Sequence, residues 1–129
     1  MAAGAGKGAS GLAARRAATG RRGEALAARH LEDLGYRIVA RNFRCPYGEL
    51  DLIATTEEYL VFVEVKTRSA RTAYHPSISV TPRKVAKLRQ LGLYYLGAHP
   101  APRLQPRFDV ISVVLGGAGP EVEHIVNAF

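Results

Sequence analysis

The chain has 129 residues, a net charge of +7 and a sequence pI near 10.0. This length suits one domain with a single core, and no apolar run is long enough to cross a bilayer. The single cysteine excludes an internal disulfide and a multi-cysteine zinc site. The basic balance suits a polyanionic partner, although the five basic residues of the N-terminal stretch supply most of the excess and leave +2 without them.

The N-terminal third is alanine-rich. Residues 1–19 show no periodicity, so we predict a disordered basic tail ahead of a single domain over residues 20–129. From about Gly20 to Leu34 the composition and the stop at Gly35 predict a helix. Glu24 falls on the apolar face of that helix. Its carboxylate either favours the positive end of the helix dipole or belongs to a metal site.

Three strands are predicted next. Tyr36–Asn42 and Gly48–Ala54 alternate with the period of two that a strand requires, and Leu60–Val65 is β-branched and aromatic, as buried strands are. The polar residues 55–58 have the length of a hairpin loop. We expect Ala54 to pair with Tyr59.

That register places carboxylates together on an apolar hairpin. Asp51 would lie opposite Phe62 and diagonal to Glu64, with Glu49 directly opposite Glu64. Carboxylates so placed lose hydration and repel each other. A divalent cation would remove both penalties, so Asp51 and Glu64 are candidate metal ligands and Lys66 lies beside them.

Residues 69–80 are predicted to form a long polar loop with a basic and aromatic composition, either a nucleic-acid contact or a mobile surface loop. Thr81 and Pro82 predict the N-cap and first position of a second helix, which extends to about Leu96. Its first turns carry Arg83, Lys84 and Lys87. They form either an anion site with the free helix amides or a solvated basic face.

The last elements are strands over residues 107–115 and 121–126. Asp109 is interpreted as the structural partner of a basic side chain, and His124 as an isolated structural residue. The order of helix, three strands, helix and two strands predicts an α/β sandwich with a mixed central sheet flanked by helices, because the later strand needs a crossover.

Several short motifs together carry a resemblance to a known family. They are Gly23-Glu24, Gly35-Tyr36, Gly48–Ala54, Val63–Arg68, Arg107–Ile111 and Glu123–Phe129. The chain resembles the YraN family of bacterial proteins, which is similar in outline to archaeal Holliday-junction resolvases. Asp51 and the Glu64-Val65-Lys66 triplet match the metal-site signature of restriction-endonuclease-like (PD-(D/E)xK) nucleases, so the resemblance implies that fold.

The same resemblance implies a Mg²⁺- or Mn²⁺-dependent endonuclease that acts on DNA, including branched or junction DNA. The single cysteine and the lack of a bilayer-length or secretory apolar run favour the cytoplasm. The expected catalytic residues are Asp51, Glu64, Lys66 and Glu24, with Asp51 and Glu64 as metal ligands and Glu49 in support. The expected nucleic-acid-binding residues are Arg68, Arg71, Arg83, Lys84 and Lys87. We expect no membrane association and allow for a homodimer.

Two alternatives stay open at this point. One is a non-catalytic nucleic-acid-binding or scaffold protein that keeps the nuclease fold, since fold does not fix function. The other is a purely structural Glu–Lys pair across the hairpin.

Overall fold

The computed structural model describes residues 7–70 and 81–129. Its helices and strands follow the predicted order. Their bounds are α1 (Lys7–Asp33), β1 (Arg37–Cys45), β2 (Gly48–Thr55), β3 (Tyr59–Ser69), α2 (Pro82–Ala98), β4 (Gln105–Leu115) and β5 (Glu121–Ile125). Neither helix of this described part has the length and apolar character that crossing a bilayer requires.

The five strands form one mixed sheet in the order β1-β2-β3-β4-β5. Strands β3 and β4 run parallel, and the other neighbouring pairs run antiparallel. Parallel neighbours need a crossover connection, and α2 lies in the segment that joins β3 to β4. The predicted α/β sandwich with a mixed sheet is therefore confirmed, and it is consistent with a restriction-endonuclease-like core.

Each face of the sheet has its own core, because successive side chains of β3 point to opposite faces. The α1 side contains Ala27, Ala28, Leu31, Val61 and Val63, together with residues of β2 and β4. The α2 side contains Leu60, Phe62, Leu88, Leu91 and Tyr95. Full burial of one such aliphatic or aromatic side chain stabilises the fold by roughly 1.5–3 kcal/mol, so the sheet is held from both sides.

Several boundaries differ from the predicted ones, among them those of α1 and β1. We predicted disorder up to residue 19, but helix α1 already begins at Lys7. Alanine weakens the hydrophobic pattern that would indicate a helix, yet it has the strongest helix propensity of all residues. Strand β1 continues to Cys45, past Asn42, whose backbone has a φ of 51°. Residues 1–6 of the predicted tail and residues 71–80 of the predicted loop lie outside the described residues.

Helix α1 crosses β3 at very short range. Gly23 faces the side chain of Thr67, and a Cβ at position 23 would overlap that side chain. Only glycine allows this approach. The contact sets the depth at which the next residue, Glu24, meets the sheet.

Candidate active site

The hairpin of β2 and β3 holds the predicted acidic residues, but its register was predicted wrongly. Ala54 pairs with Val61 rather than with Tyr59, because β2 continues one residue further than predicted before it turns. A shift of two residues keeps each side chain of β3 on its predicted face, since the side-chain period is two. On β2 the alternation breaks at Asp51, because Leu52 packs on the α1 side and Leu50 on the α2 side. Continuing the observed register brings Asp51 level with Glu64.

The new register also separates Glu49 from Glu64. Glu49 pairs with Arg44 of β1, and its Oε2 lies 2.7 Å from the Arg44 Nε, which donates a hydrogen bond. The predicted repulsion between two facing glutamates is therefore wrong. Glu49 acts on the site from a distance, through its charge.

Asp51 lies where the two strands separate. The described pairing of β2 with β3 ends at Leu52 and Val63. Beyond that point the Asp51 Oδ2 accepts a hydrogen bond of 2.8 Å from the backbone N–H of Val65. The Asp51 carboxylate thus takes the place of a backbone carbonyl of β2 as the acceptor for β3, and it fixes the position of the two strands where they separate.

The surroundings of Asp51 disfavour its ionised form. Burial is the largest effect, and the negative charges of Glu64, Glu24 and Glu49 add to it, so the pKa of Asp51 rises to about 7. The hydrogen bond from Val65 opposes this shift but does not cancel it. Asp51 therefore titrates near neutral pH in the absence of a cation.

Glu64 stands beside Asp51 with an unused acceptor. Its side chain is 18% exposed, and its Oε2 is buried without a hydrogen-bond partner in the described part of the chain. The Lys84 Nζ lies 3.4 Å from this oxygen, which is close enough for an ion pair but not arranged as a hydrogen bond. A buried carboxylate oxygen in this state favours a further cation or donor.

Two lysines meet at Glu64. Lys66 follows Glu64 on the same face of β3, and Lys84 reaches it from the first turns of α2. Burial is the main cause that lowers the pKa of Lys66, and its interaction with Lys84 adds to that effect. Burial also acts on Lys84, but the interactions with Lys66, Glu64 and Asp51 outweigh it and raise the pKa of Lys84.

Glu24 completes the cluster from the α1 side. Its carboxyl interacts with the side chains of Asn42 and Asp51, which favours ionisation, but burial and the charge of Glu49 prevail and raise its pKa. The first turn of α1 contains no acidic residue, so Glu24 lies too far along the helix for the dipole interpretation. Of the two interpretations of Glu24, membership of the site fits its position.

The predicted nucleic-acid-binding residues lie in different places. Arg83 and Lys87 are exposed on α2, and Arg68 is half-buried in β3. Lys84 belongs to the acidic cluster itself, since its Nζ lies 3.4 Å from the Glu64 Oε2. Thr81 caps α2 by accepting a hydrogen bond from the Lys84 backbone N–H, which confirms the predicted helix start. Arg71 lies outside the described residues.

The donor set suits a hard divalent cation held by few protein ligands. In the described part of the chain, no three His, Cys, Asp or Glu side chains converge as a ready metal cage. Mg²⁺, however, usually keeps several waters and binds through one or two carboxylates and substrate phosphates. Asp51 with its raised pKa and Glu64, whose Oε2 accepts no hydrogen bond among the described residues, are the two carboxylates that a cation would stabilise.

A second polar network lies near the C-terminus and was not predicted as a unit. Asp109 accepts two hydrogen bonds from Arg107, at 2.9 and 2.8 Å, so its interpretation as the partner of a basic residue is confirmed. His124 is not isolated, because its Nε2 lies 2.7 Å from Asp109 and its Nδ1 lies 3.3 Å from His30. The sequence gives no local signal for these contacts, which join α1, β4 and β5.

Comparison with known proteins matches residues 23–113 to the family described as Uncharacterised protein family UPF0102. A UPF0102 protein of Acidothermus cellulolyticus is 44% identical over 131 aligned positions, which cover 93% of this chain and 99% of the relative. One of Syntrophomonas wolfei is 42% identical, with 83% of this chain and 93% of the relative covered. One of Moorella thermoacetica is 50% identical, with coverages of 74% and 80%. The chain therefore belongs to the UPF0102 family, the YraN-like family that its sequence motifs resembled.

Proposed function

We propose that this protein is a Mg²⁺-dependent endonuclease of the cytoplasm that acts on DNA, including branched forms such as a four-way junction. The observation that carries the proposal is the meeting of Asp51, Glu64 and Lys66 at the point where β2 and β3 separate. A structural Glu–Lys pair would need only two of these groups. It would also have no use for a second carboxylate, Asp51, whose pKa is raised to about 7.

Asp51 and Glu64 would hold the cation, which when bound supplies a Lewis acid at the scissile phosphate and lowers the pKa of an attacking water. Glu24 would hold Asp51 in place through their contact. With the cation bound, Asp51 and Glu64 would stay ionised, because the positive charge offsets the carboxylate repulsion.

The two lysines would divide the remaining work. Lys66 would orient the attacking water and accept its proton, a role favoured by the burial and the neighbouring Lys84 that lower its pKa. The pKa of Lys84 is raised, so it stays charged and can stabilise the negative charge that develops on the phosphate. The water oxygen would bond to phosphorus as the bond from phosphorus to the leaving deoxyribose oxygen breaks. One proton of the water would pass to the neutral amine of Lys66, and the leaving oxygen would take up a proton from solvent.

A second function is favoured by a specific observation. Lys84 already neutralises part of the charge of Glu64 at 3.4 Å, and no closed metal cage exists among the described residues. A non-catalytic DNA-binding protein that retains the nuclease fold would use Arg83, Lys87 and the positive end of α2 for phosphate contact and would leave the acidic residues idle.

The deciding experiment incubates the purified protein with labelled duplex, single-stranded and four-way-junction DNA, in Mg²⁺, in Mn²⁺ and in chelator. Glu64→Gln keeps the side-chain size and removes the charge, so cleavage should fall by orders of magnitude. Glu57→Gln, in the exposed turn between β2 and β3, is the matched control and should cleave like wild type. Binding in chelator should be equal or somewhat tighter in Glu64→Gln, because Lys84 loses its partner.

The opposite results are equally clear. Wild-type protein that leaves every DNA form intact in Mn²⁺ would select the binding protein. Cleavage that persists undiminished in Glu64→Gln would reveal another site or a contaminating nuclease. Thermal unfolding gives a separate test of metal binding. A Mg²⁺ concentration of 100 times its Kd should stabilise wild type by about 2.7 kcal/mol, and Asp51→Asn should lose this stabilisation.

A further inference from the structure

Two exposed tyrosines form a pair at the turn between β1 and β2. Tyr47 in the turn is 47% exposed and Tyr94 of α2 is 42% exposed. Their ring centroids lie 5.8 Å apart with an interplanar angle of 74°. An edge-to-face pair of this kind leaves ring faces open to solvent.

An inner aromatic layer supports this pair. Phe43 lies 6.3 Å from Tyr94 and 5.1 Å from Tyr95 between ring centroids, and Tyr95 lies 5.9 Å from Phe62 in the core. Tyr95 is buried, so the inner rings already close the α2 side of the sheet. The two outer tyrosines rest on this layer and belong to neither core cluster.

Helix α2 connects the tyrosine pair with the acidic cluster. Lys84, Lys87, Leu91 and Tyr94 follow one another at steps of three or four residues, so they lie along one face of the helix. Lys84 contacts Glu64, and the Lys87 side chain passes over the turn, where a Cβ at Gly48 would lie 3.1 Å from its Cε. At 1.5 Å per residue, about 15 Å separate the two ends of this stripe.

Two basic side chains flank the pair, and one of them, Arg44, is itself paired with Glu49. Arg44, next to the turn, has a side chain that is 82% exposed, and Lys87 is exposed on the helix. Exposed aromatic faces with flanking cations are the surface that single-stranded nucleic acid binds, through base stacking and phosphate contact. At 3.4 Å per nucleotide, the 15 Å stripe spans roughly four stacked nucleotides.

We propose that Tyr47 and Tyr94 form a stacking platform for unpaired bases, and that it guides a single-stranded segment along Lys87 to the acidic cluster. The inference deepens the proposed function and rests on it for the direction of the strand. A duplex does not offer base faces to the tyrosines, since its bases are already stacked on each other. The preferred substrate is thus DNA with an unpaired stretch next to the scissile phosphate.

The test measures binding of a labelled oligothymidylate of about 12 nucleotides and of a blunt duplex, by fluorescence anisotropy in chelator. Tyr94→Leu and Tyr47→Leu keep an apolar cover and remove the π-face. The conservative controls are Tyr94→Phe and Tyr47→Phe, which keep it. Each leucine variant should bind oligothymidylate roughly 5- to 100-fold more weakly, while the phenylalanine variants stay within about twofold and duplex binding is unchanged in all four.

Equal binding of oligothymidylate by wild type and both leucine variants would overturn the platform, as would an equal loss for oligothymidylate and duplex. Urea midpoints establish that each variant is folded, and Tyr47→Leu carries the test if Tyr94→Leu is unstable. Because binding is measured in chelator, the two proposals fail separately. If wild type does not cleave DNA but the leucine variants bind oligothymidylate more weakly, the nuclease proposal fails and the platform is supported. If wild type cleaves DNA and the leucine variants bind oligothymidylate as tightly as wild type, the platform alone fails.

Discussion

Two aspartates of the sheet, the buried Asp109 and the half-buried Asp51, have opposite electrostatic surroundings. Asp109 on β4 is fully buried, yet hydrogen bonds from His124, Arg107 and the Asn127 N–H outweigh the burial and hold its pKa below the ordinary 3.8. Asp51 on β2 accepts one backbone hydrogen bond, and its pKa is raised to about 7 by burial and by neighbouring carboxylates.

This difference distinguishes a carboxylate that stabilises the fold from one that remains available to bind an external group. Around Asp109 the fold supplies every partner that an ionised carboxylate needs, so no external group is required there. Around Asp51 burial and three carboxylates outweigh the nearby Lys66 and Lys84, so the ionised form of Asp51 costs stability unless a further cation binds. Such an unfavourable cluster is better explained by a function than by folding.

The comparison predicts the largest loss of folding stability for a substitution at Asp109. Asp109→Asn leaves the Arg107 guanidinium, whose side chain is 11% exposed, without its charged partner. Loss of one member of a buried ion pair costs about 3–5 kcal/mol. The free energy of unfolding from urea denaturation should fall by that amount. A loss below about 1 kcal/mol, the range of exposed pairs, would mean that the network is not structural.

A smaller effect of opposite sign is expected at Asp51. Between pH 3.8 and about 7 the folded protein keeps a proton on Asp51 that the unfolded chain releases. The free energy of unfolding of wild type should therefore fall as the pH rises through this window. Asp51→Asn cannot titrate there, so it should match wild type near pH 4 and exceed it above pH 7, by at most about 4 kcal/mol.

The measurement is urea denaturation in chelator across the pH range, with Glu57→Gln as the control that should follow wild type. Asp109 should act in the opposite direction, since its stabilising contribution is present above pH 3.8 and is lost as the pH falls through its lowered pKa. Parallel pH profiles for wild type and Asp51→Asn would show that Asp51 is ionised at neutral pH without a cation.

Much of the fold was predictable because local patterns determine it. Alternation assigned Val63 and Glu64 to opposite faces of β3, and the Thr81-Pro82 pair marked the start of α2. The register of β2 against β3 was not predictable to better than two residues, since such a shift preserves the alternation. The length of α1 was missed because an alanine-rich basic segment satisfies both the criterion for disorder and the propensity for helix.

The site was predictable only as far as it is local in sequence. Asp51, Glu64 and Lys66 lie on neighbouring strands of one hairpin, so their meeting follows from strand periodicity. Lys84 reaches Glu64 from α2, and His124 reaches Asp109 across the β4–β5 pair. Contacts between distant elements depend on how the helices pack on the sheet, and a single sequence carries no local signal for that packing.

The smallest effect is expected for substitutions that change the charge around Asp51 and leave its hydrogen bond from Val65 intact. Glu49 forms an exposed pair with Arg44, so Glu49→Gln should change the free energy of unfolding by less than about 1 kcal/mol. Glu49 still raises the pKa of Asp51, with a weaker effect than Glu64. Glu49→Gln should therefore lower that pKa slightly and Glu64→Gln should lower it more, which ¹³C NMR titration of the Asp51 carboxyl in chelator would measure. A larger shift in Glu49→Gln than in Glu64→Gln would mean that Asp51 is closer to β1 charges than to β3 charges, and the pairing of Asp51 with Glu64 as metal ligands would then be wrong.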